Sequence, residues 1–323
     1  MATEQFGRKI SLIIGFDSGE ALDLSELRIV FRVQRGDLQT PNSARIRVYN
    51  VSANTARRAQ SKEFTRVVLQ AGYEGNYGII FDGQIKQVRR GRESQTDTFI
   101  DITAADGDSA YNFAVVNTTL AAGSTPADHV AAVCTAMSQY GVQQGYLPEL
   151  PSNPLPRGKV MFGMARDFMR WTARTTQTVW SIQDGKVVMV PETAYMPGEI
   201  PVITSATGMV GLPQQTANGI EVKMLLNPSV KIGRLIWLDN ASIQQYEYSL
   251  NVGQQAENER IEMQAKLQDD GFYYVMLAEV SGDARGEEWY TSVVCLAADV
   301  TVLPDSFKDK AAVPSADVIK RFG

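Results

Sequence analysis

Residues 204–238 constrain the fold more than any other stretch of this chain. They alternate turn residues with short apolar runs. Gly211 and Pro213 punctuate a loop, Asn218-Gly219 forms a tight turn, and residues 220–226 run apolar into the stop at Asn227-Pro228. Gly233 reopens the chain and residues 234–238 form another strand. Glycine and asparagine tolerate positive φ, and proline lacks an N–H, so this order spells strand, turn, strand.

The same period governs the first third. Ile29, Phe31 and Val33 alternate with Arg28, Arg32 and Gln34, and Ala44, Ile46 and Val48 alternate with Arg45 and Arg47. Period-two alternation is the pattern of a half-buried strand. Ser52 caps a short helix to about Gln60. Strands resume over 66–73, 77–90 (with Gly83 as a bulge site) and 98–104. Short antiparallel strands with one small helix predict a barrel or sandwich.

The middle third changes period. Ser124 is read as an N-cap and Pro126 as a first-turn residue. The apolar stripe that follows is Ala127, Val130, Val133, Cys134 and Met137. Proline-rich residues 148–156 lead to a second helix over 163–175, with Met164, Phe168 and Trp171 on its expected inner face. Asp184-Gly185-Lys186 between the β-rich runs 179–183 and 187–190 signals a hairpin. In the last third, 272–280 and 289–300 read as long strands about a glycine-flanked turn at 281–287, and 240–268 has no firm assignment.

The resulting fold class is mainly β with an α+β insert: two antiparallel β-barrel domains flanking a small α/β domain. The expected boundaries are 1–113, 114–200 (two helices and a hairpin), 201–303, and a tail at 304–323. The tail's Phe307, Val313, Val318, Ile319 and Phe322 have no obvious core to join, which makes them candidate partner-binding residues on a neighbouring chain.

Several chemistries lack their residues. The chain has 323 residues, a net charge of −5, one histidine and two cysteines. That balance argues against a protein that wraps nucleic acid. His129 alone cannot supply a histidine metal centre, and it sits at the edge of an apolar helical face, so a core or flanking role is expected. Cys134 and Cys295 lie in apolar company as inert thiols. Asp106-Gly107-Asp108 and Asp269-Asp270-Gly271 have too few oxygens for calcium loops and read as turns. Arg35-Gly36-Asp37 follows a strand that needs a turn there anyway. Glu287 and Glu288 beside Trp289 suggest a sugar cleft, but adjacent strand residues point to opposite faces. No glycine-rich phosphate loop opens a helix. No apolar stretch is long enough to span a bilayer, no signal peptide is evident in residues 1–8, and no cofactor or metal is expected.

The order of the turn motifs resembles the baseplate hub proteins of contractile-tailed phages, relatives of the hub part of type VI secretion spike proteins. The resemblance is carried by the G-x-P loop, N-G turn, L-L-N-P stop and Gly233 of residues 204–238. Leu69-Gln70-Ala71-Gly72-Tyr73 followed by Ile80-Phe81-Asp82-Gly83-Gln84-Ile85 adds to it, as does residues 102–107. Residues 119–133, 158–167 and 180–185 are similar to the family's middle domain, and Gly282-Asp283-Ala284-Arg285-Gly286 with Trp289 to an element near its end.

The resemblance implies a non-enzymatic homotrimer whose two tube-like barrels per chain form a pseudo-sixfold ring between tail tube and central spike. It implies as partners a tail tube or tube-initiator protein, the spike, baseplate wedge proteins and a tape measure protein. DNA is passing cargo, for which an acidic lumen is expected. The site of action is the virion's tail baseplate, after assembly in the host bacterial cytoplasm, with no stable membrane association. Neither a lysozyme-like insertion nor a β-helical spike repeat is present. The alternatives are the hub of a phage-derived contractile injection particle, or a tail-associated cell-wall or polysaccharide-degrading enzyme.

Overall fold

The computed structural model describes residues 6–16, 21–60, 64–216, 219–239 and 270–297. The first region contains β1 (Arg8–Gly15), β2 (Ala21–Asp23), β3 (Ile29–Gly36), β4 (Ser43–Tyr49), α1 (Ala53–Gln60), β5 (Arg66–Tyr73), β6 (Asn76–Arg92) and β7 (Thr98–Ala105). The insert contains α2 (Asp108–Phe113), β8 (Val115–Leu120), α3 (Pro126–Ser138), β9 (Gln143–Gln144), β10 (Lys159–Met164), α4 (Ala165–Thr175), β11 (Thr178–Gln183) and β12 (Lys186–Pro191). The last region contains β13 (Val202–Ile203), β14 (Gln214–Thr216), β15 (Gly219–Leu225), β16 (Leu235–Asp239), β17 (Asp270–Asp283) and β18 (Trp289–Ala297). The mainly β class with a mixed insert is therefore what the chain adopts.

Strands of the first and last regions belong to one sheet. Its main order is β14-β15-β18-β17-β3-β4-β7-β6-β5-β1-β2, with β16 and β13 attached beside β17. Alternation decides which face each strand buries: Ile29, Phe31 and Val33 of β3 and Ile46 and Val48 of β4 are buried. On β15, Val222 and Met224 go in while Glu221 and Lys223 stay out.

Three large apolar clusters follow. One gathers the first region's strands but also takes Leu226, Val280 and Trp289 from the last. A second lies in the insert, around Met137, Met161, Met169 and Trp180. A third lies among β15–β18, with Tyr273, Val275 and Cys295.

Local readings fare unevenly. Ser52 caps α1, its Oγ accepting the Thr55 N–H at 3.1 Å. The expected hairpin is present, with Asp184 and Gly185 at φ of +52° and +73° between the paired Gln183 and Lys186, so Lys186 belongs to the strand and the turn has two residues. The α3 cap is Thr125 rather than Ser124. Asp128 three residues on completes a capping box with Thr125, for which Ser124 has no counterpart.

The α4 stripe also differs. Ala165, Met169, Thr172 and Ala173 are buried, while Trp171 is 45% exposed and Phe168 half-buried. Small residues allow the helix to approach its neighbours closely, so the larger rings face outward. The bulges of β6 fall at Ile80 and Lys86, where pairing with β5 and β7 skips a residue, and not at Gly83. Gly83 instead makes room for the Phe81 ring: a Cβ there would stand 2.7 Å from its Cζ.

Strand β1 was not anticipated. Its apolar run Ile10-Ser11-Leu12-Ile13-Ile14 buries Leu12 and Ile14 while leaving Ile13 37% exposed. Strand β17 runs on to Asp283, shortening the expected turn. The tail residues Phe307, Val313, Val318, Ile319 and Phe322, and the unassigned 240–268, lie outside the described residues.

Candidate functional site: the joint and the surfaces beside it

Strand β17 is where the two strand sets meet. One edge pairs with β18 along most of its length. Its other edge pairs first with β16, Asp270 to Tyr274, and then with β3, from Leu277↔Gly36 to Asp283↔Val30. A register shift between Val275 and Leu277 against β18 marks the point of change. A bulge of this kind bends a strand and increases its local twist, which suits a strand passing between two partners.

The G-D-A-R-G element closes this joint. A Cβ on Gly282 would stand 2.6 Å from Phe31 Cζ and 2.7 Å from Trp289 Cε3, so only glycine fits. The two rings pack edge to face with centroids 5.5 Å apart. Asp283 receives Arg28 at 2.7 Å; burial alone would raise its pKa, but Arg28 and the backbone N–H groups of Arg285 and Gly286 hold it below the usual carboxylate range. The Arg8 guanidinium donates to the Gly286 carbonyl at 2.6 Å, and that of Arg285 to the Glu26 carbonyl at 2.8 Å. Trp289 is thus core, which removes the sugar-cleft reading of Glu287 and Glu288.

A second joint fastens the insert. Buried Arg35 donates to the Ile80 carbonyl (3.1 Å), Gln183 Oε1 (3.2 Å) and Asp184 Oδ2 (2.9 Å). Asn42 donates to the Ile182 carbonyl and to Gln183 Oε1, and Gln183 Nε2 donates to the Gly36 carbonyl at 2.8 Å. Lys231 joins Asp184 at 3.6 Å and donates to the Ile79 carbonyl at 2.9 Å. Burial would raise Asp184, but Arg35 and Lys231 keep its pKa low.

Asp106 accepts the backbone N–H groups of Asp184 and Gly185 at 2.6 and 2.8 Å. Burial outweighs these bonds and pushes its pKa up to about 7. Nearby, burial raises Asp37 to about 6 although the Tyr274 hydroxyl donates to it at 3.3 Å. Arg35-Gly36-Asp37 and Asp106-Gly107 were read as turns; they are also fastenings between regions, joined by contacts too distant in sequence to leave a local signal.

His129 and the two cysteines are buried. His129 is 2% exposed, packs 5.8 Å from Trp171, and has its pKa lowered by burial and by Lys159. Cys134 is raised to about 11 by burial, and Cys295 is raised likewise. Among the described residues, no group of three or more metal-ligating side chains comes together, and no helix is long and apolar enough to cross a membrane.

Two surfaces stand out instead. A groove of about 850 Å³ crosses the outer face of β3, β17, β18 and β15, between loops bearing Leu38 and Leu212, each 58% exposed. On the insert, Val160 and Phe162 of β10 are 73% and 74% exposed, beside Trp171. Neither was anticipated: Leu38 and Leu212 sit in loops that meet only across the sheet, and β10 was read in part as the start of the helix over 163–175.

No family model matches the chain, and no curated protein matches it in sequence. Solved structures do match in shape. The 43 kDa tail protein of prophage MuSo2 from Shewanella oneidensis superposes with a TM-score of 0.56 at 7% identity, over 95% of this chain and 100% of that one. A tail protein from Neisseria meningitidis MC58 does so with 0.56 at 10% identity, over 96% and 100%. The chain has the fold of these two tail proteins. A component of the Escherichia coli type VI secretion system is similar more loosely, with a TM-score of 0.48 at 9% identity over 94% of this chain and 79% of that one. The tail-protein fold, expected from the order of turn motifs, is thus present from end to end of both tail proteins.

Proposed function

We propose that this chain is a structural, non-enzymatic hub subunit of a contractile phage tail baseplate. Three copies would form a ring in which each contributes two tube-like barrels, one from each strand set, with boundaries near residues 113, 200 and 303. Such a ring presents six similar units to a tail tube above and three to a spike below, and lets DNA pass. The observation that carries this reading is the β3–β17 ladder, which makes two strand sets of one chain into a continuous sheet. A rigid two-set subunit is what a threefold assembly needs in order to present sixfold geometry. The fold shared with two tail proteins, one of them from a prophage, supports it.

Mass in solution by light scattering tests the proposal. A stable species near three times 35.5 kDa is expected, alone or after addition of a candidate spike protein. A monomer under both conditions rejects the trimeric ring.

A further inference from the structure

Two apolar surfaces lie on different regions of one subunit, and their shapes are opposite. The first is the ribbon of β8 and β10, which pair only with each other. Directly opposite residues share a face, so Val160 and Phe162 stand with Thr119 and Asn117 on the side away from buried Met161 and Val116. That side carries no charge: Lys159 belongs to the other, with its ammonium 3.4 Å from the centre of the Trp171 ring. Val160 and Phe162 are the most exposed large apolar side chains on any described strand.

The second is the groove of about 850 Å³ on the outer face of the large sheet. Pairing aligns Gly36, Leu277, Val294 and Glu221 in one row across β3, β17, β18 and β15. Leu277 lies over Gly36, where a Cβ would stand 2.8 Å from its Cδ2, so the middle of the row is an apolar floor. The neighbouring charges are held: Glu279 takes Arg32 and Gln34, Lys223 stands over the Tyr290 ring, and Arg35 is fixed by Asp184. Glu221 ends the row at the rim, outside the apolar floor.

Among the described residues nothing covers either surface, and apolar area left open in this way marks contact sites. About twenty residues line the groove, and one side of a standard interface of about 800 Å² uses roughly 20–30. The groove is therefore large enough to be one whole side of a stable contact between proteins. Two sheet faces pack about 10 Å apart with their side chains interdigitating, and an uncharged ribbon face suits an uncharged floor. Two concave faces cannot fill each other, whereas a protruding strand pair fills a trough. A contact between two different surfaces of one kind of chain is head-to-tail, and it closes into a ring where the rotation allows.

We propose that the β8–β10 ribbon of one subunit seats in the groove of the next, with Val160 and Phe162 between Leu38 and Leu212 and over Leu277 and Val294. The occupant is a second copy of this chain. The inference rests on the ring proposed above and names the two surfaces that join its subunits.

Cysteine pairs in the full chain test the seat. Phe162→Cys with Leu212→Cys in one chain is oxidised mildly and run on a denaturing gel. Covalent species of two and then three chains are expected, forming about tenfold faster than with a control pair of Phe6→Cys and Leu212→Cys. The ladder should stop at three, because the ring is then closed. A ladder running past three chains supports the contact and rejects the closed ring. A mass of three chains in solution, with crosslinking no faster than the control, leaves the ring standing and overturns the seat. A monomer with no crosslinking above the control overturns both. Dimers from Phe162→Cys alone, formed as fast as with the pair, would show ribbon meeting ribbon and overturn the seat as well.

A double-mutant cycle avoids crosslinking. Phe162→Ala and Leu212→Ala alter exposed side chains, so melting of the dissociated chain should hold. Each should weaken association about tenfold, read by light scattering over a dilution series. Because the two side chains meet, their combined effect should fall short of the product by about twofold or more. Full additivity places them in separate contacts and rejects the seat, as does unchanged association in either variant.

Discussion

The two strand sets are joined by backbone, whereas the insert is joined to them by side chains. At the first joint, β3 and β17 exchange main-chain hydrogen bonds from Leu277 to Asp283, backed by Phe31, Gly282 and Trp289. At the second, Arg35, Asn42, Gln183, Asp184 and Asp106 interlock around a hairpin turn. Ladder bonds carry no net charge and do not titrate. A cluster of buried charges is indifferent neither to pH nor to the loss of one member. The relation between the strand sets thus rests mainly on main-chain bonds that do not titrate, with Arg28–Asp283 and Tyr274–Asp37 beside them, whereas that of the insert rests on side chains that do.

Trp289→Ala attacks the first joint and should have the largest effect. Removing a fully buried indole that packs on Phe31 should cost about 3–5 kcal/mol. Both strand sets should lose stability together, in a single cooperative transition, because Trp289 belongs to the first region's core while its strand belongs to the last. Separate melting of the two sets in calorimetry would show that the ladder does not couple them.

Arg35→Met attacks the second joint. It leaves Asp184 with only Lys231, at 3.6 Å, and strips the Ile80 carbonyl and Gln183 of a donor. A loss of about 3 kcal/mol is expected, at the low end for an orphaned buried charge because Lys231 remains. The contrast with Trp289 lies in location. Hydrogen exchange should rise at the Asp184-Gly185 turn and through the insert, while β3 and β17 stay protected. Uniform loss of protection would mean that the insert is not a separately fastened unit.

The pH dependence sharpens the same contrast. Asp106 has a folded pKa of about 7 against an ordinary carboxylate value near 3.8. The group is raised on folding, so its stabilising contribution is complete below about pH 4 and is lost as pH rises through about 7. Asp37, raised to about 6, acts in the same direction. Asp184, held low by Arg35 and Lys231, acts oppositely, contributing above its unfolded value and losing that contribution only in more acid solution. Stability between pH 5 and 8 should therefore decline by on the order of 2 kcal/mol, with Asp106 acting at the insert's joint and Asp37 at the end of β3, against Tyr274 of β17. Asp106→Asn should flatten that decline, at a cost of about 1–3 kcal/mol at pH 5 because one turn N–H loses its acceptor. A slope unchanged in Asp106→Asn would place the titration elsewhere.

How far these joints are legible in the sequence depends on the range of the contacts that make them. The Asp184-Gly185 hairpin, the β15 alternation and the α1 cap were readable because turn chemistry and pleat act within a few residues. The β3–β17 ladder joins residues some 250 positions apart, and nothing local to either strand names its partner. Strand β1 was missed because a continuous apolar run fits either period. Stripe assignment in α4 failed because side-chain size was taken for burial, whereas Ala165, Thr172 and Ala173 pack inward because they are small. Gly282-Asp283-Ala284-Arg285-Gly286 was readable as a motif, but its work depends on Arg8, Glu26 and Arg28, which only the fold brings to it.

The smallest effect is expected on the insert's outer strand, and it completes the comparison. Phe162 is 74% exposed, whereas Phe31 on the ladder joint is 2% exposed. The same substitution to serine should therefore separate them widely. Phe31→Ser empties the space beside Trp289 and puts a hydroxyl against an apolar cluster, a loss of about 3 kcal/mol or more. Phe162→Ser exchanges one solvated group for another and should shift stability by no more than about 0.5 kcal/mol. The face beside Val160 and Trp171 contributes little to folding, so mutations there report on other events. A fall in assembled mass at an unchanged melting temperature, seen in Phe162→Ser by light scattering, would assign that face to a contact between molecules. A fall in melting temperature beyond about 2 °C would instead show that the β8–β10 ribbon leans on its outward ring.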